Sequence, residues 1–541
     1  MSEEARDKKM DFWPDIRTES RFRHAEEPGK SRRPGRLLTV FKALLLLALM
    51  AVTAYGALNS GSFGEVRWLP IAIASMIAVI VTLFIKGFYA DVPWLGWALV
   101  AALGVLVGMK GLSMTWTISE VETMREVVRS SMYLAFFLLA LAALSSERQV
   151  GPMMDIAMLI VAAIAGYGLL QKIYPVDYPV LSLDGVRMDS TLGYSNSTAV
   201  VIAMGIVLAL ARVTRSSNMA LRGLNSFLML GFIIALYLTV SRGGIGSLLM
   251  ALAVMFVVSE RRLQMFTNLL LVSAPAAWLL WRMRDMNGLL GQDAPEQRRI
   301  ADGLAFRDDL ILAFVAAFVL QLAYSFFVGR YELMPLGRKT LGAVVVGGGI
   351  LLAVVGSLFA VSQYGGPART YEALTSNPIL TDDSASRLAS LSLGNREDYW
   401  SVAWDYWMEN PLTGSGAGTF SYVWLQERPV DSGVQQVHNV YLEQGVETGV
   451  VAFLALIAFA ALLVGYTARE AWRSRGERRV LLSGLLATLL VYLISSAIEW
   501  HWYIPPSTLF FFVLAAITAK FAAMPEWATP EGEAEDNPKE A

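Results

Sequence analysis

Apolar runs of about 17–25 residues, each long enough to cross a bilayer, recur along nearly the whole of this chain. Hydrophobic residues make up 55% of its 541 positions, and no stretch is left for a sizeable soluble domain. The pattern predicts an all-α polytopic membrane protein with about fourteen spans, 12–14 being compatible with it. The first nine lie near Leu37–Ala57, Trp68–Ile85, Val92–Met109, Val127–Leu144, Pro152–Ile173, Asn196–Val213, Leu224–Val240, Gly243–Val258 and Phe266–Trp281. The others lie near Leu310–Val328, Leu341–Val361, Thr448–Tyr466, Val480–Ala497 and Thr508–Ala523. Residues 1–36 are polar and charged, so a disordered cytoplasmic tail is expected there rather than a cleavable signal peptide. Residues 37–523 form the transmembrane body, and 524–541 are expected to be an acidic cytoplasmic tail with Glu531, Glu533, Glu535 and Asp536.

The absence of cysteine removes disulfides, thiolate metal sites and cysteine nucleophiles. A net charge of −2 implies neither nucleic acid nor an acidic partner. Orientation follows from short loops rich in lysine and arginine. Lys30, Arg32, Arg33 and Arg36 put the N-terminus in the cytoplasm, and alternation then places Arg212/Arg215/Arg222, Arg261/Arg262, Arg330/Arg338/Lys339 and Arg469–Arg479 on the same side. One loop disagrees: Arg282, Arg284, Arg298, Arg299 and Arg307 fall outside, so either a hairpin is miscounted or this loop is an exception.

A large external loop, 363–437, contains a helix signal of its own. Asn395 is placed to cap it, Glu397 and Asp398 suit its first turn, and Trp400, Trp404 and Trp407 recur at helical spacing. An amphipathic helix lying on membrane lipids is the plain structural reading.

Four segments on the external side hold the residues suited to chemistry. Arg187–Ala199 opens the sixth span, where Asn196 and Ser197 read first as helix caps and the free amides as phosphate ligands. Thr239–Ser247 is a tight turn bearing Arg242, the one charged residue between Arg222 and Glu260. Its fork suits a diphosphate, against the alternative of snorkelling to headgroups, and Gly243 and Gly244 would allow a close approach of substrate. Arg396 and the spaced glycines Gly414 and Gly416 form the third; without a Rossmann context the glycines suggest a turn beside a substrate cavity. The fourth holds His438 and Asn439. His438 is one of three histidines in the chain and is placed where a titratable group can act near neutral pH. His501, between Trp500 and Trp502, ranks behind it, and no pair at metal-ligand spacing occurs.

Together these segments resemble the O-antigen ligase and polymerase superfamily of membrane glycosyltransferases. His438–Asn439, nine further residues and Gly449 fit that family's pattern, with Ala452 where a second glycine is usual. Ser241–Arg242 matches its external serine–arginine turn, with Gly246 in place of a leucine. Gly193 and Asn196 look like its helix-opening element, and Arg396, Trp400, Pro411, Gly414 and Gly416 look like its loop pattern. The likeness runs from Arg187 to Pro506, and the extra spans around Phe266–Val328 exceed it.

The resemblance implies a GT-C-like fold in the cytoplasmic (inner) membrane with an outward-facing site. It implies transfer of a glycan from a polyprenyl-diphosphate donor to a hydroxyl on a glycan, lipid or protein acceptor, with no cofactor, nucleotide sugar or metal. His438 as base and Arg242 at the diphosphate would be catalytic. Arg187, Asn196, Arg396, Asn439, Gly414 and Gly416 would bind substrate. Two other classes compete. A lipid-glycan flippase predicts internal symmetry and charges deep within spans, whereas the charges here gather at span ends. A non-catalytic scaffold predicts that His438 and Arg242 are dispensable.

Overall fold

The protein is described by a computed structural model covering residues 35–62, 64–181, 185–216, 218–291, 293–328 and 395–525, with 340, 343, 344, 347 and 348 between them. The described residues form helices and turns with no strand. In chain order the first ten helices are α1 (Arg36–Leu58), α2 (Glu65–Leu83), α3 (Trp94–Leu112), α4 (Glu120–Ala143), α5 (Val150–Ile173), α6 (Ser195–Arg215), α7 (Met219–Leu238), α8 (Arg242–Val258), α9 (Arg262–Met283) and α10 (Glu296–Val328). They are followed by α11 (Arg396–Glu409), α12 (Phe420–Glu427), α13 (Val440–Arg473), α14 (Gly476–Ser495) and α15 (Pro505–Ala523). Among the described residues, 12 helices are long and apolar enough to cross a membrane, and α8 is a shorter apolar helix. The protein is therefore an all-α, multi-pass membrane protein. Every expected span coincides with one of these helices except that near Leu341–Val361, which lies almost wholly outside the described residues, as do both tails.

Helices α6 and α15 are buried along nearly their whole length, while α1, α2 and α10 leave apolar side chains such as Leu44, Ile77 and Val315 exposed. That contrast is what a bundle in lipid requires, because hydrocarbon solvates an apolar face that water would not. Small residues let the central helices close up. A Cβ added at Gly484 would stand 2.4 Å from the Ala211 Cβ, so α14 and α6 pack nearly backbone to backbone there.

Ion pairs gather the connections at one end of the bundle. Arg212 bonds Asp155 at 2.7 and 2.5 Å, Arg215 lies 3.0 Å from Glu477, Arg479 lies 3.2 Å from Glu260, and Arg478 pairs with Glu147. The opposite end collects the α5–α6 connection, the α7–α8 turn, residues 395–439 and the α14–α15 connection. The arginine-rich stretch between α9 and α10 belongs to this second end, since Lys172 donates to the Leu289 carbonyl at 2.8 Å. No hairpin has been missed before it. Four of its five arginines are matched by acids instead: Arg282 with Asp309, Arg284 with Asp285, Arg298 with Asp302 and Arg307 with Asp308.

Helix α11 departs from the expected surface helix. It docks on α13: Trp407 lies 5.0 Å from the Phe453 ring, and a Cβ at Gly445 would stand 2.5 Å from its indole. Trp404 stays exposed, so the three tryptophans do not share one fate. Asn395 occupies the cap position but makes no side-chain capping bond, because its backbone (φ −73°, ψ 8°) is not extended.

The glycines of 410–420 serve a backbone-to-backbone contact. Helix α13 breaks at Gly449 (φ 80°, ψ −178°), and the loop threads into the break. Ser415 N donates to the Val446 carbonyl at 3.0 Å, Gly416 N to the Glu447 carbonyl at 2.8 Å, and Val450 N to the Pro411 carbonyl at 2.8 Å. Gly414 and Gly416 take φ 62° and 105°, and a Cβ at Gly449 would lie 2.1 Å from the Leu412 oxygen. Such a conformation is open essentially to glycine alone. Gly449→Ala is therefore expected to destabilise the detergent-solubilised protein by at least about 1–3 kcal/mol. Gly465→Ala, at an open helical position, should be neutral or stabilising. Equal unfolding midpoints for the two variants would refute this account of the break.

Candidate active site

At the second end of the bundle, one carboxylate organises the polar residues. Glu499 is buried between α14 and α15, 3% exposed, and accepts from the Tyr194 hydroxyl at 2.6 Å, from Asn196 Nδ2 at 2.7 Å and from Arg396. Arg396 Nε also donates to the Ile498 carbonyl at 2.8 Å. Arg187 joins through Asn196 Oδ1 at 2.6 Å and donates from Nε to the Thr239 carbonyl at 2.9 Å. Burial would raise the Glu499 carboxyl, but the Arg396 guanidinium and the Tyr194 hydrogen bond outweigh it and hold the group below the ordinary carboxylate range. Burial and the adjacent Glu499 push the Tyr194 phenol up, so it stays a proton donor.

Asn196 thus does not cap α6. The helix starts one residue earlier behind Tyr194, which leaves the Asn196 amide free for Arg187 and Glu499. Ser197 is drawn instead to His501 Nδ1 at 2.8 Å. Arg242, partly exposed, opens α8 behind Ser241, whose hydroxyl caps the helix by accepting from Gly244 N at 3.2 Å. Its turn is tied to the cluster on both sides: Thr239 accepts from Arg187, and a Cβ at Gly243 would lie 2.8 Å from the Ile498 side chain. Gly244 packs against Ala199, so these two glycines receive protein rather than leaving open space.

His438 precedes α13 with φ 58°, in the left-handed region that histidine tolerates better than most residues. Its Nδ1 lies 3.0 Å from the Gln436 carbonyl, so Nδ1 carries the hydrogen and Nε2 presents its lone pair. Among the described residues Nε2 has no hydrogen-bond partner. The ring lies 5.5 Å from Tyr399 and 6.3 Å from Trp500. Burial holds the imidazole below its ordinary value and Arg396 adds to this, while Glu499 and the Gln436 bond oppose it. The shift favours the neutral ring. Asn439 caps α13 through Tyr441 N and Leu442 N, both at 3.1 Å.

His501 is a different kind of histidine. It is fully buried, its nitrogens lie 2.8 Å from the Ser197 and Ser495 hydroxyls, and burial pushes its pKa down to about 4. It ties α6 to α14 as a neutral ring.

A cavity of about 1000 Å³ opens beside His438, lined also by Tyr194, Trp500, Gly418 and charged residues of α4. Tyr194 and Trp500, whose rings are 4.6 Å apart, link it to the Glu499 cluster. Arg187, Asn196 and Arg396 are brought together, Arg242 sits on an adjoining turn, and Gly414 and Gly416 lie apart against α13. Sequence reasoning missed Glu499, although it is the one acid between Glu477 and Glu526. It also missed the α4 charges, whose signal is Glu122, Arg125, Glu126 and Arg129 opening an apolar helix. Among the described residues, no group of three or more His, Cys, Asp or Glu side chains is placed to hold a metal ion.

No curated protein matches the chain. Residues 310–457 match the family described as O-antigen ligase, a region that takes in most of α10, the whole of α11 and α12, His438 and the broken start of α13. That match, over residues 310–457 of the 541, supports the likeness to the O-antigen ligase and polymerase family and with it a glycosyltransferase-like role in polysaccharide biosynthesis.

Proposed function

We propose that this protein transfers a glycan from a polyprenyl-diphosphate donor to an acceptor hydroxyl, on the outer face of the cytoplasmic membrane and without metal. The observation that carries the reading is His438, with Nε2 open, in a cavity joined to the arginine cluster through Tyr194 and Trp500. The acceptor oxygen bonds to the anomeric carbon of the donor sugar as its proton passes to His438 Nε2. The anomeric carbon–oxygen bond breaks, and its electron pair leaves with the polyprenyl diphosphate. Arg242, Arg187 and Arg396 stabilise the charge that grows on that leaving group, the latter two held in place by Asn196 and Glu499. Asn439 fixes the start of α13, and so the position of His438; Gly414 and Gly416 let the loop seat against it. Charge placement at span ends favours this reading over a flippase.

Arg242→Lys keeps the charge and loses the bidentate fork. Loss of such a contact raises the barrier by about 2–4 kcal/mol, so turnover should fall roughly thirty- to a thousand-fold with donor binding little changed. Full activity in this variant would remove Arg242 from the clamp. For orientation, Gln435→Cys should react with an impermeant thiol reagent in intact cells and Ser216→Cys should not. The reverse pattern would place the site in the cytoplasm.

A further inference from the structure

The cavity beside His438 has a second wall, formed by the first turns of α2 and α4, that the transfer chemistry leaves unused. Glu122, Arg125, Glu126 and Arg129 recur there at helical spacing, and α2 adds Glu65 and Trp68. Arg125 Nε lies 2.6 Å from Glu65, and the same guanidinium bonds Glu122. Arg129 bonds Glu126, which also takes the buried Lys110 at 3.2 Å. The Arg129 guanidinium lies over both the Trp68 and Tyr503 rings, 5.1 and 4.9 Å from their centroids, contacts that fix its plane.

This wall is wrong for a diphosphate. Three carboxylates face two guanidiniums at the cavity, so positive charge is not in excess. What it offers is planar acceptors and donors in alternation beside aromatic faces, which matches the vicinal hydroxyls and the apolar C–H face of a pyranose ring. Two donors on it are buried without a hydrogen-bond partner among the described residues: Trp68 Nε1 and Arg129 Nε, on residues 2% and 9% exposed. Unpaired buried donors are costly, and a polyol in the cavity brings the acceptors they lack. Gly418, at φ 77°, keeps the adjoining loop close, since a Cβ there would stand 2.9 Å from Glu126 Cγ.

We propose that this wall is a sugar-binding subsite holding a pyranose ring of the lipid-linked donor, with Glu122 and Arg125 at its rim and Arg129 at its base. The proposal rests on the glycan-transfer reading and adds where the glycan is held. The test compares two probes bound to the purified protein in nanodiscs: polyprenyl diphosphate without sugar, and the same lipid bearing its native glycan, extracted from the source cells. Glu122→Gln and Arg125→Gln each replace a half-exposed side chain, and unfolding midpoints verify that both fold. Each should weaken the glycan-bearing lipid by about tenfold or more and leave the sugar-free lipid within about twofold. Wild-type affinity of both variants for the glycan-bearing lipid would overturn the subsite while leaving the transfer reading standing. Failure of the unmodified protein to bind either lipid would overturn the transfer reading itself.

Discussion

His438→Ala is expected to lower glycan transfer by about 10²–10⁴-fold, the range that a positioned general base contributes, while the protein still inserts and binds donor. The geometry gives the reason. The Gln436 carbonyl fixes the tautomer, the left-handed backbone at His438 turns the ring beside the cavity, and Nε2 is left to meet a hydroxyl. The pH profile supplies an independent check. Because burial depresses the imidazole pKa, the neutral form persists as pH falls through 6.5, the ordinary histidine value. Turnover should therefore hold through that pH and decline only below it, as the ring protonates. A decline centred above 6.5 would contradict the depressed value, and wild-type turnover in His438→Ala would make the residue structural.

Glu499→Ala should be the most destabilising single change at the site. It removes the shared acceptor of Tyr194, Asn196 and Arg396 and leaves a guanidinium without its buried counter-charge. Breaking one partner of a buried pair costs about 3–5 kcal/mol. The expected result is a large drop in the unfolding midpoint together with loss of transfer, since Arg187 and Arg396 lose the brace that aligns them. Asn196→Ala keeps the Glu499–Arg396 pair and should cost less. An unchanged midpoint in Glu499→Ala would show that the cluster does not hold α6, α11 and the α14–α15 connection together.

The spans were legible because bilayer thickness sets a run length that a local window detects. Their ends were less so: α4 begins at Glu120, well before its apolar run, since its first two turns are charged and face a cavity rather than lipid. Arg187, Asn196, Arg396 and His438 were singled out from rarity and expected sidedness. Their roles were harder to read, because Asn196 looks like a helix cap until Arg187 and Glu499 claim its amide. Glu499 escaped because its meaning lies in Arg396, 103 positions earlier in the chain. The loop glycines were read as a turn beside a substrate cavity, yet the partner that demands them is the broken α13, which only the folded backbone reveals.

The central claim is tested by reconstitution. Purified protein in liposomes receives the native polyprenyl-diphosphate-linked glycan and its acceptor, with EDTA present and nucleotide sugar absent, and glycosylated acceptor is measured against released polyprenyl diphosphate. The account predicts the two products in equal amounts, at a rate that EDTA does not change and that His438→Ala removes. Transfer that stops on chelation, or donor that stays intact in the presence of acceptor, would contradict it.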